Sequence, residues 1–549
     1  MKHKSPQIPG KLTSRGWRLL KQTGALLLAS FLFALAFPNP LFDKGVPLLA
    51  WFAYIPVFWL ISQVGLGASI IWGGLYGFIA YGLFNYWLTL FHPLAGLIVG
   101  VLYLGYFAIL FPLLKLADIL FPRKGYIVQW LLWIGYEYVR TLGFVGYPYG
   151  ITGYSQWSGI PIIQIASLFG VWGVSALVVF PSAFLAGSLK EKTAGTIQSV
   201  FSFFKRERLT AILWCVAFTG SLVFGVVQVE TGKAKMRDAE TRNFALIQHN
   251  TDPWRGGIEQ YRKNYEVLKR LSLEALAGAP EPDLVVWSET AFVPRIYWHV
   301  NYRDDQASYL LVKELMDFLA VQEVPFLIGN DDARKELTED GIIDRVDYNG
   351  ALLFDRGVIV DQYRKLHLVP FTEHFPYKKQ LPWVHAALVN ADTHFWKKGD
   401  STTVFDINGI RFSTPICFED SFGYLSRNFV LGGADYIVNI TNDAWSHSLP
   451  AQMQHFSMAV FRAVENRRSV VRATASGQSC GIDPYGNVVA MAPPFEENYL
   501  TVTVPLSQEE TLYTRWGDYT ARIFLFTALG LLAAGGLVWA VKRIRRWKH

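Results

Sequence analysis

Three residues of different chemical type follow short apolar stretches with strand-like composition, and these are Glu289, Lys365 and Cys417. Cys417 lies at the end of a β-branched and aromatic run at residues 409–416, just before a helical pattern at residues 423–431. A thiol that attacks a carbonyl needs a base for its proton and a positive charge or N–H donors for the oxyanion. Glu289 is a candidate for the base, and Lys365 is a candidate for the positive charge.

Each of these residues also has a structural alternative. A free cysteine is often a buried packing residue, Glu289 could belong to a helix cap, and Lys365 could be an ordinary surface lysine. The functional interpretation is that Cys417 lies near a helix N-terminus, where the helix dipole lowers the pKa of the thiol and increases the fraction of reactive thiolate. We therefore expect a strand-to-helix corner that carries a reactive Cys417.

The composition of the chain indicates a membrane protein. Its 549 residues are 51% hydrophobic and only 17% charged, which is too apolar for an ordinary soluble protein. The net charge of +7 comes from basic residues at the ends of apolar segments, so it predicts membrane orientation and not nucleic-acid binding. The three cysteines, Cys215, Cys417 and Cys480, are too few for a disulfide framework.

The apolar segments predict a multi-pass α-helical bundle of about eight spans. We place them at residues 20–37, 47–62, 67–91, 95–121, 126–142, 163–188, 210–229 and 520–541. With eight spans, the basic N-terminus, Arg123-Lys124, the connection at 190–208 and the tail at 542–546 all fall on one side, which is then the cytoplasm.

The predicted domains follow from this arrangement. Residues 1–229 form the membrane bundle with seven helices, residues 230–519 form a domain outside the cytoplasm, and residues 520–549 form a last helix with a basic cytoplasmic tail. Short apolar strands alternate with helical stretches in the insert, which is typical of an α/β domain. Within it, residues 376–398 combine aromatic residues with lysines and predict an amphipathic flap beside a membrane.

Four sequence motifs surround the candidate residues. They are Trp-Ser-Glu-Thr at 287–290, Tyr-Arg-Lys-Leu-His-Leu-Val-Pro-Phe-Thr-Glu-His-Phe-Pro at 363–376, Pro-Ile-Cys-Phe-Glu at 415–419 and Asn-Ile-Thr-Asn-Asp-Ala-Trp at 439–445. With these motifs the insert resembles the nitrilase, or carbon–nitrogen hydrolase, superfamily. The whole chain resembles more closely the apolipoprotein N-acyltransferase family, which joins such a domain to a membrane bundle.

This resemblance implies an α-β-β-α sandwich and a catalytic triad of Glu289, Lys365 and Cys417. It also implies a further carboxylate at Glu373 and a supporting carboxylate at Glu419. We expect the substrate-binding side chains among the aromatic residues Trp254, Trp383, Trp396, Phe418 and Trp445. The chain departs from the family pattern in two places, with Phe418 where tyrosine is frequent and Ser446-His447 where a Phe-Gly pair is expected.

The expected activity is acyl transfer through a cysteine thioester. By resemblance, the donor is a membrane glycerophospholipid and the acceptor is the N-terminal amine of a diacylglyceryl-cysteine on an apolipoprotein. We expect a monomeric enzyme of the bacterial inner membrane with a periplasmic catalytic domain, no cofactor and no metal, since His447 and His455 lack a third nearby ligand. The alternatives are a membrane-tethered amidase, in which water resolves the acyl-enzyme, and a non-catalytic lipid-binding protein.

Overall fold

The computed structural model describes residues 14–91, 93–190, 196–252, 255–337, 341–390 and 393–547. The chain divides into two compact units. The first contains the chain up to Tyr136, Ala176–Cys215 and Ile523 onwards, and the second contains Glu137–Ser175 and Val216–Arg522. The second unit holds all the candidate catalytic residues.

The apolar N-terminal sequence folds into helices. In chain order they are α1 (Ser14–Ala36), α2 (Pro47–Ala50), α3 (Ile55–Gln63), α4 (Leu66–Phe84), α5 (Leu88–Phe91), α6 (Pro93–Leu120), α7 (Gly125–Val139), α8 (Ile160–Ile163), α9 (Ala166–Ser188), α10 (Thr196–Arg206) and α11 (Arg208–Arg237). Glycine lets α4 approach α6, because a Cβ at Gly77 would lie 2.2 Å from the backbone oxygen of Tyr103. Tyr81 then stacks on Tyr103 with ring centroids 3.6 Å apart.

Six helices in the described residues are long and apolar enough to cross a membrane. They are α1, α4, α6, α9, α11 and the C-terminal helix that begins at Tyr519. The predicted second span is interrupted between α2 and α3, and the predicted fifth span is α7, which has only 15 residues. The predicted count of eight therefore differs from the structure at the second and fifth predicted spans. Their helices are shorter than the roughly 20 residues that a membrane span requires.

The second unit contains the predicted α/β domain. Its elements in chain order are β1 (Thr241–Gln248), α12 (Ile258–Leu276), β2 (Leu284–Trp287), α13 (Ile296–Tyr302), α14 (Gln306–Ala320), β3 (Phe326–Leu337), β4 (Ile343–Asp355), β5 (Val358–Arg364), α15 (Pro382–Asn390), β6 (Phe405–Ile407), β7 (Ile410–Ser413), α16 (Gly423–Leu431), β8 (Tyr436–Thr441), α17 (Leu449–Asn466), β9 (Ser469–Thr474), β10 (Cys480–Ile482), β11 (Val488–Met491), β12 (Asn498–Pro505), α18 (Leu512–Trp516) and α19 (Tyr519–Trp547). The run from β1 to α18 lies entirely within this unit, whereas α19 continues into the first.

The described strands form two six-stranded sheets that pack face to face. The strand orders are β12-β1-β2-β3-β4-β5 and β11-β10-β9-β8-β7-β6, with parallel pairs β1–β2, β2–β3, β7–β8 and β8–β9. β1 packs against β9, and Gly481 allows the close approach of β10 to β12, since a Cβ there would lie 2.4 Å from Val502. Helices α12 and α14 cover the first sheet and α17 covers the second, which confirms the predicted α-β-β-α sandwich.

Helix α17 is unusual because both of its faces are buried. Residues from Pro450 to Asn466 are all buried. The segment Glu137–Ser175 of the same unit supplies part of the cover, with Tyr154 against Phe461 and Trp157 against Phe456. The buried helix therefore carries polar side chains that must find partners inside the protein.

Candidate active site

The three predicted catalytic residues follow strand ends. Glu289 lies two residues after β2, Lys365 directly follows β5, and Cys417 begins a short 3₁₀ helix, Cys417–Ser421, shortly after β7. The predicted helix that follows Cys417 is α16, with the predicted bounds. Because Cys417 has φ +51°, in the left-handed region that non-glycine residues seldom adopt, surrounding contacts must hold the turn at the thiol.

Lys365 lies between two carboxylates. Its side chain is fully buried, and Nζ lies 3.1 Å from Glu289 Oε1 and 2.9 Å from Glu373 Oε1. Burial alone would lower the pKa of Lys365, but the charges of Glu289 and Glu373 raise it well above its ordinary value. Lys365 is therefore a fixed positive charge and not a base.

Glu289 is oriented by two donors in addition to Lys365. Asn349 Nδ2 donates to Oε1 at 2.8 Å, and the backbone N–H of Asn442 donates to Oε2 at 3.0 Å. The first oxygen therefore faces the ammonium and the second is held by the strand end after β8. Sequence reasoning did not identify Asn349, which lies on β4 opposite the strand of Lys365, although Asn442 lay within a quoted motif.

The predicted lowering of the thiol pKa by a helix N-terminus is wrong. Burial raises the pKa of Cys417 well above its ordinary value, the charge of Glu289 raises it further, and Lys365 opposes both effects. The 3₁₀ helix that begins at Cys417 has only five residues, so its dipole is small. Cys417 is therefore a neutral thiol at neutral pH, and it would need a base to act as a nucleophile.

Glu373 and Glu419 are both buried and have different partners. Glu373 accepts from Lys365 and, through Oε2, from the backbone N–H of Val369 at 2.9 Å. Burial raises its pKa, and Lys365 opposes that effect. Glu373 therefore joins the Lys365 ammonium to the loop that follows Lys365.

Glu419 connects the turn at Cys417 to the loop that follows Lys365. Its carboxylate accepts from the backbone N–H groups of Ile416, Leu366 and His367 at 2.7 to 2.9 Å and from the hydroxyl of Tyr363. Burial raises its pKa, and these backbone donors partly compensate. Glu419 thus fixes the relative position of the segments that carry Lys365 and Cys417.

Comparisons with known proteins identify the family of the chain. The chain matches the carbon-nitrogen hydrolase family over residues 244–513 and the apolipoprotein N-acyltransferase N-terminal domain over residues 29–184. It is 45% identical to apolipoprotein N-acyltransferase 1 of Treponema denticola, over 90% of this chain and 92% of the relative. It is also 46% identical to apolipoprotein N-acyltransferase 1 of Treponema pallidum (93% and 95% covered) and 31% identical to the apolipoprotein N-acyltransferase of Geobacter metallireducens (90% and 91%). The chain belongs to the apolipoprotein N-acyltransferase family.

In this acyltransferase, the aromatic residues predicted to bind substrate occupy different environments. Phe418 is buried next to Cys417, and its ring is stacked with those of Tyr147 and Tyr149, with centroids 6.2 and 6.4 Å apart. Trp445 is half-buried at the strand end that holds Glu289. Trp254 lies outside the residues that the structure describes.

The predicted flap contains an exposed helix and an anchored end. Helix α15 has no buried residue among those described, and Trp383 on it is 72% exposed. Trp396 is half-buried, and its backbone N–H donates to the carbonyl of Glu373 at 2.9 Å. The acyltransferase therefore presents Trp383 to its surroundings, while the backbone of Trp396 is bonded to the backbone of Glu373.

The loop that contains Glu373 packs against an aromatic side chain from a distant part of the sequence. Phe144 contacts Phe371, Phe375 and Tyr377, with ring centroids 5.2 to 6.3 Å apart. Sequence reasoning did not connect the segment of Phe144 with the candidate active site. Long-range packing of this kind leaves no local signal in the sequence.

Proposed function

We propose that this acyltransferase moves an acyl chain from a membrane glycerophospholipid to the N-terminal amine of a diacylglyceryl-cysteine on an apolipoprotein. The observation that carries the proposal is the buried group of Glu289, Lys365 and Glu373, whose charges act on the thiol of Cys417. A neutral thiol next to an oriented carboxylate and a permanent ammonium is the arrangement required for nucleophilic attack on an ester.

In the first half-reaction, Glu289 takes the thiol proton as sulfur attacks the ester carbonyl of the phospholipid. Lys365 stabilises the negative charge as it moves from Glu289 to the sulfur and then to the carbonyl oxygen. The tetrahedral intermediate collapses when the ester C–O bond breaks, and the proton on Glu289 passes to the departing alkoxide. Lysophospholipid leaves, and the acyl chain remains on Cys417 as a thioester.

In the second half-reaction, the neutral amine of the acceptor attacks the thioester carbonyl. Glu289 accepts the proton of the amine, the C–S bond breaks, and the thiol is restored by that proton. Donor and acceptor use the same carbonyl position in turn, so the kinetics are ping-pong. The flap at residues 376–398 limits the access of water to the waiting thioester.

The test is incubation of the full-length enzyme with a phospholipid and a diacylglyceryl-cysteine peptide. We expect an amide-linked acyl chain on the peptide and, without acceptor, a hydroxylamine-sensitive acyl group on Cys417. Cys417→Ala should give neither product. Free fatty acid as the sole product would favour the membrane-tethered amidase, and bound phospholipid without turnover would favour a lipid-binding protein.

The same proposal places the catalytic domain outside the cytoplasm of the bacterial inner membrane, with both chain ends inside. Five of the six long described helices precede the insert, and one follows it. An odd number before the insert places it opposite the N-terminus, and seven spans would do the same. Basic residues at Lys205, Arg206, Arg545 and Arg546 lie at helix ends assigned to the cytoplasm. A reporter fused after Lys233 that behaves as cytoplasmic would contradict this orientation.

A further inference from the structure

A second group of buried charges lies directly against the nucleophile turn. His455 on α17 is 3% exposed, and its Nε2 lies 2.7 Å from Asp420 Oδ1 and 3.2 Å from the carbonyl oxygen of Cys417. Its Nδ1 lies 3.2 Å from Asp443 Oδ1. The imidazole therefore contacts an acid after the nucleophile, an acid after β8, and the nucleophile's own backbone.

Arg472 on β9 completes the group. Its guanidinium contacts Asp420 and lies 3.5 Å from Asp443 Oδ2. All four side chains are at most 4% exposed, so solvent does little to compensate an unbalanced charge. Two carboxylates and one guanidinium leave a net charge of minus one, and a protonated His455 brings the group to neutrality.

The surroundings favour this protonated form. Burial opposes the charge on His455, as does Arg472, but Asp420 and Asp443 raise its pKa to about 9. Within the described residues, Nη2 of Arg472 also faces the imidazole, at 3.5 Å from Nδ1, and the ring of Tyr149 lies 6.2 Å away. At neutral pH both ring nitrogens therefore carry protons, and the proton on Nε2 is shared between Asp420 and the carbonyl of Cys417.

From this geometry we infer that His455 is a positioning residue for the nucleophile: its imidazolium holds the Cys417 carbonyl in the left-handed turn and keeps the buried charges behind the thiol balanced. The residue acts through Cys417 and does not touch the substrate. Its charge matters because the negative charges of Glu289, Asp443 and Glu373 all disfavour the thiolate. Without the imidazolium, a further uncompensated negative charge lies beside the sulfur that must become an anion.

This inference rests on the proposed role of Cys417 as nucleophile, so its test measures thiol ionisation separately from acyl transfer. The full-length enzyme is treated with iodoacetamide between pH 6 and 11, and alkylation of the Cys417 peptide is followed by mass spectrometry. His455→Gln retains an amide donor but cannot carry a charge. Asp443→Asn is added to it to remove the excess negative charge. His299→Gln is the matched control, because His299 is also buried and pairs with an aspartate, Asp304, at 3.2 Å.

We expect His455→Gln to slow alkylation of Cys417 at pH 8 about tenfold by raising the apparent pKa of the thiol. The double variant should recover most of that loss, and His299→Gln should match the wild type. Unchanged alkylation in His455→Gln would overturn the inference. A loss that Asp443→Asn does not repair would also overturn it, because that is the result of a purely structural role.

The proposed function has its own readout in the same samples. If wild-type Cys417 alkylates with the expected pH profile but forms no thioester with phospholipid, the acyl-transfer proposal fails. The comparison of His455→Gln with the wild type still decides the charge inference in that case. The experiment therefore distinguishes failure of the acyl-transfer proposal from failure of the proposed role of His455.

Discussion

The two groups of buried charges near Cys417 differ in how their charges balance. Glu289, Lys365 and Glu373 place two carboxylates around one ammonium, so a negative charge is left over and one carboxylate can accept a proton. Asp420, Asp443, Arg472 and His455 pair two negative with two positive charges when His455 is protonated. The first group has the excess negative charge that a proton acceptor needs, and the second group has a net charge of zero. In the proposed mechanism, the buried charges of the first group take part in proton transfer, whereas those of the second group hold the turn at Cys417 in place.

The largest effects should follow changes in the unbalanced group. Glu289→Gln keeps the size of the side chain but removes the base, and its amide N–H must also face one of the N–H donors that bond to the carboxylate in the wild type. Lys365→Met removes the ammonium that lies between the two carboxylates. Each change should lower kcat by about a hundredfold to several thousandfold, the range usual for a general base or an oxyanion partner. Single-turnover transfer from phospholipid measures this loss, and near-normal turnover by either variant would remove that residue from the mechanism.

The balanced group should instead control stability as a function of pH. The pKa of His455 is raised from 6.5 to about 9, so its stabilising contribution is complete below pH 6.5 and is lost as the pH rises to about 9. The shift corresponds to at most about 3.5 kcal/mol, since one pKa unit is about 1.4 kcal/mol. Thermal unfolding of the purified enzyme should show a fall in Tm over this window. The fall should be smaller in His455→Gln, and an equal fall in both proteins would contradict the assigned charge.

Local strand and helix patterns predicted the α/β domain, and the family resemblance implied the α-β-β-α sandwich, which is confirmed. The catalytic roles of Glu289, Lys365 and Cys417 stay predictions. Helix α16 has the predicted bounds, since an amphipathic helix leaves clear periodicity in the sequence. The predicted thiol pKa was wrong because burial, which depends on the whole fold, outweighs the dipole of a five-residue helix. His455 was considered only as a metal ligand, since its partners Asp420 and Arg472 come from other elements and have no spacing that marks them as a group.

An intermediate effect on turnover should follow a change at Glu419, which links the loop after Lys365 to the turn at Cys417. In the wild type, the backbone N–H groups of Ile416, Leu366 and His367 donate to the carboxylate of Glu419. In Glu419→Gln, an amide N–H must face at least one of these donors, and that hydrogen bond is lost. Hydrogen bonds to a charged group are worth about 1.5 to 3 kcal/mol, so we expect kcat to fall about 10- to 100-fold. KM for the phospholipid should change little. A larger change in KM than in kcat would show that Glu419 acts on substrate binding.

The smallest effect should come from the exposed helix of the flap, which lies in neither charged group. Trp383 is 72% exposed, so Trp383→Ala should change stability by no more than about 0.5 kcal/mol. If the flap limits access of water to the thioester, the ratio of free fatty acid to acylated peptide should rise, by less than about tenfold because one side chain is removed. Trp516→Ala is the matched control, because Trp516 is also exposed, at 58%, and lies on α18 outside the flap. An equal ratio in the two variants would mean that Trp383 does not protect the thioester, and the exclusion of water would then rest on residues nearer the carboxylates, such as Trp396.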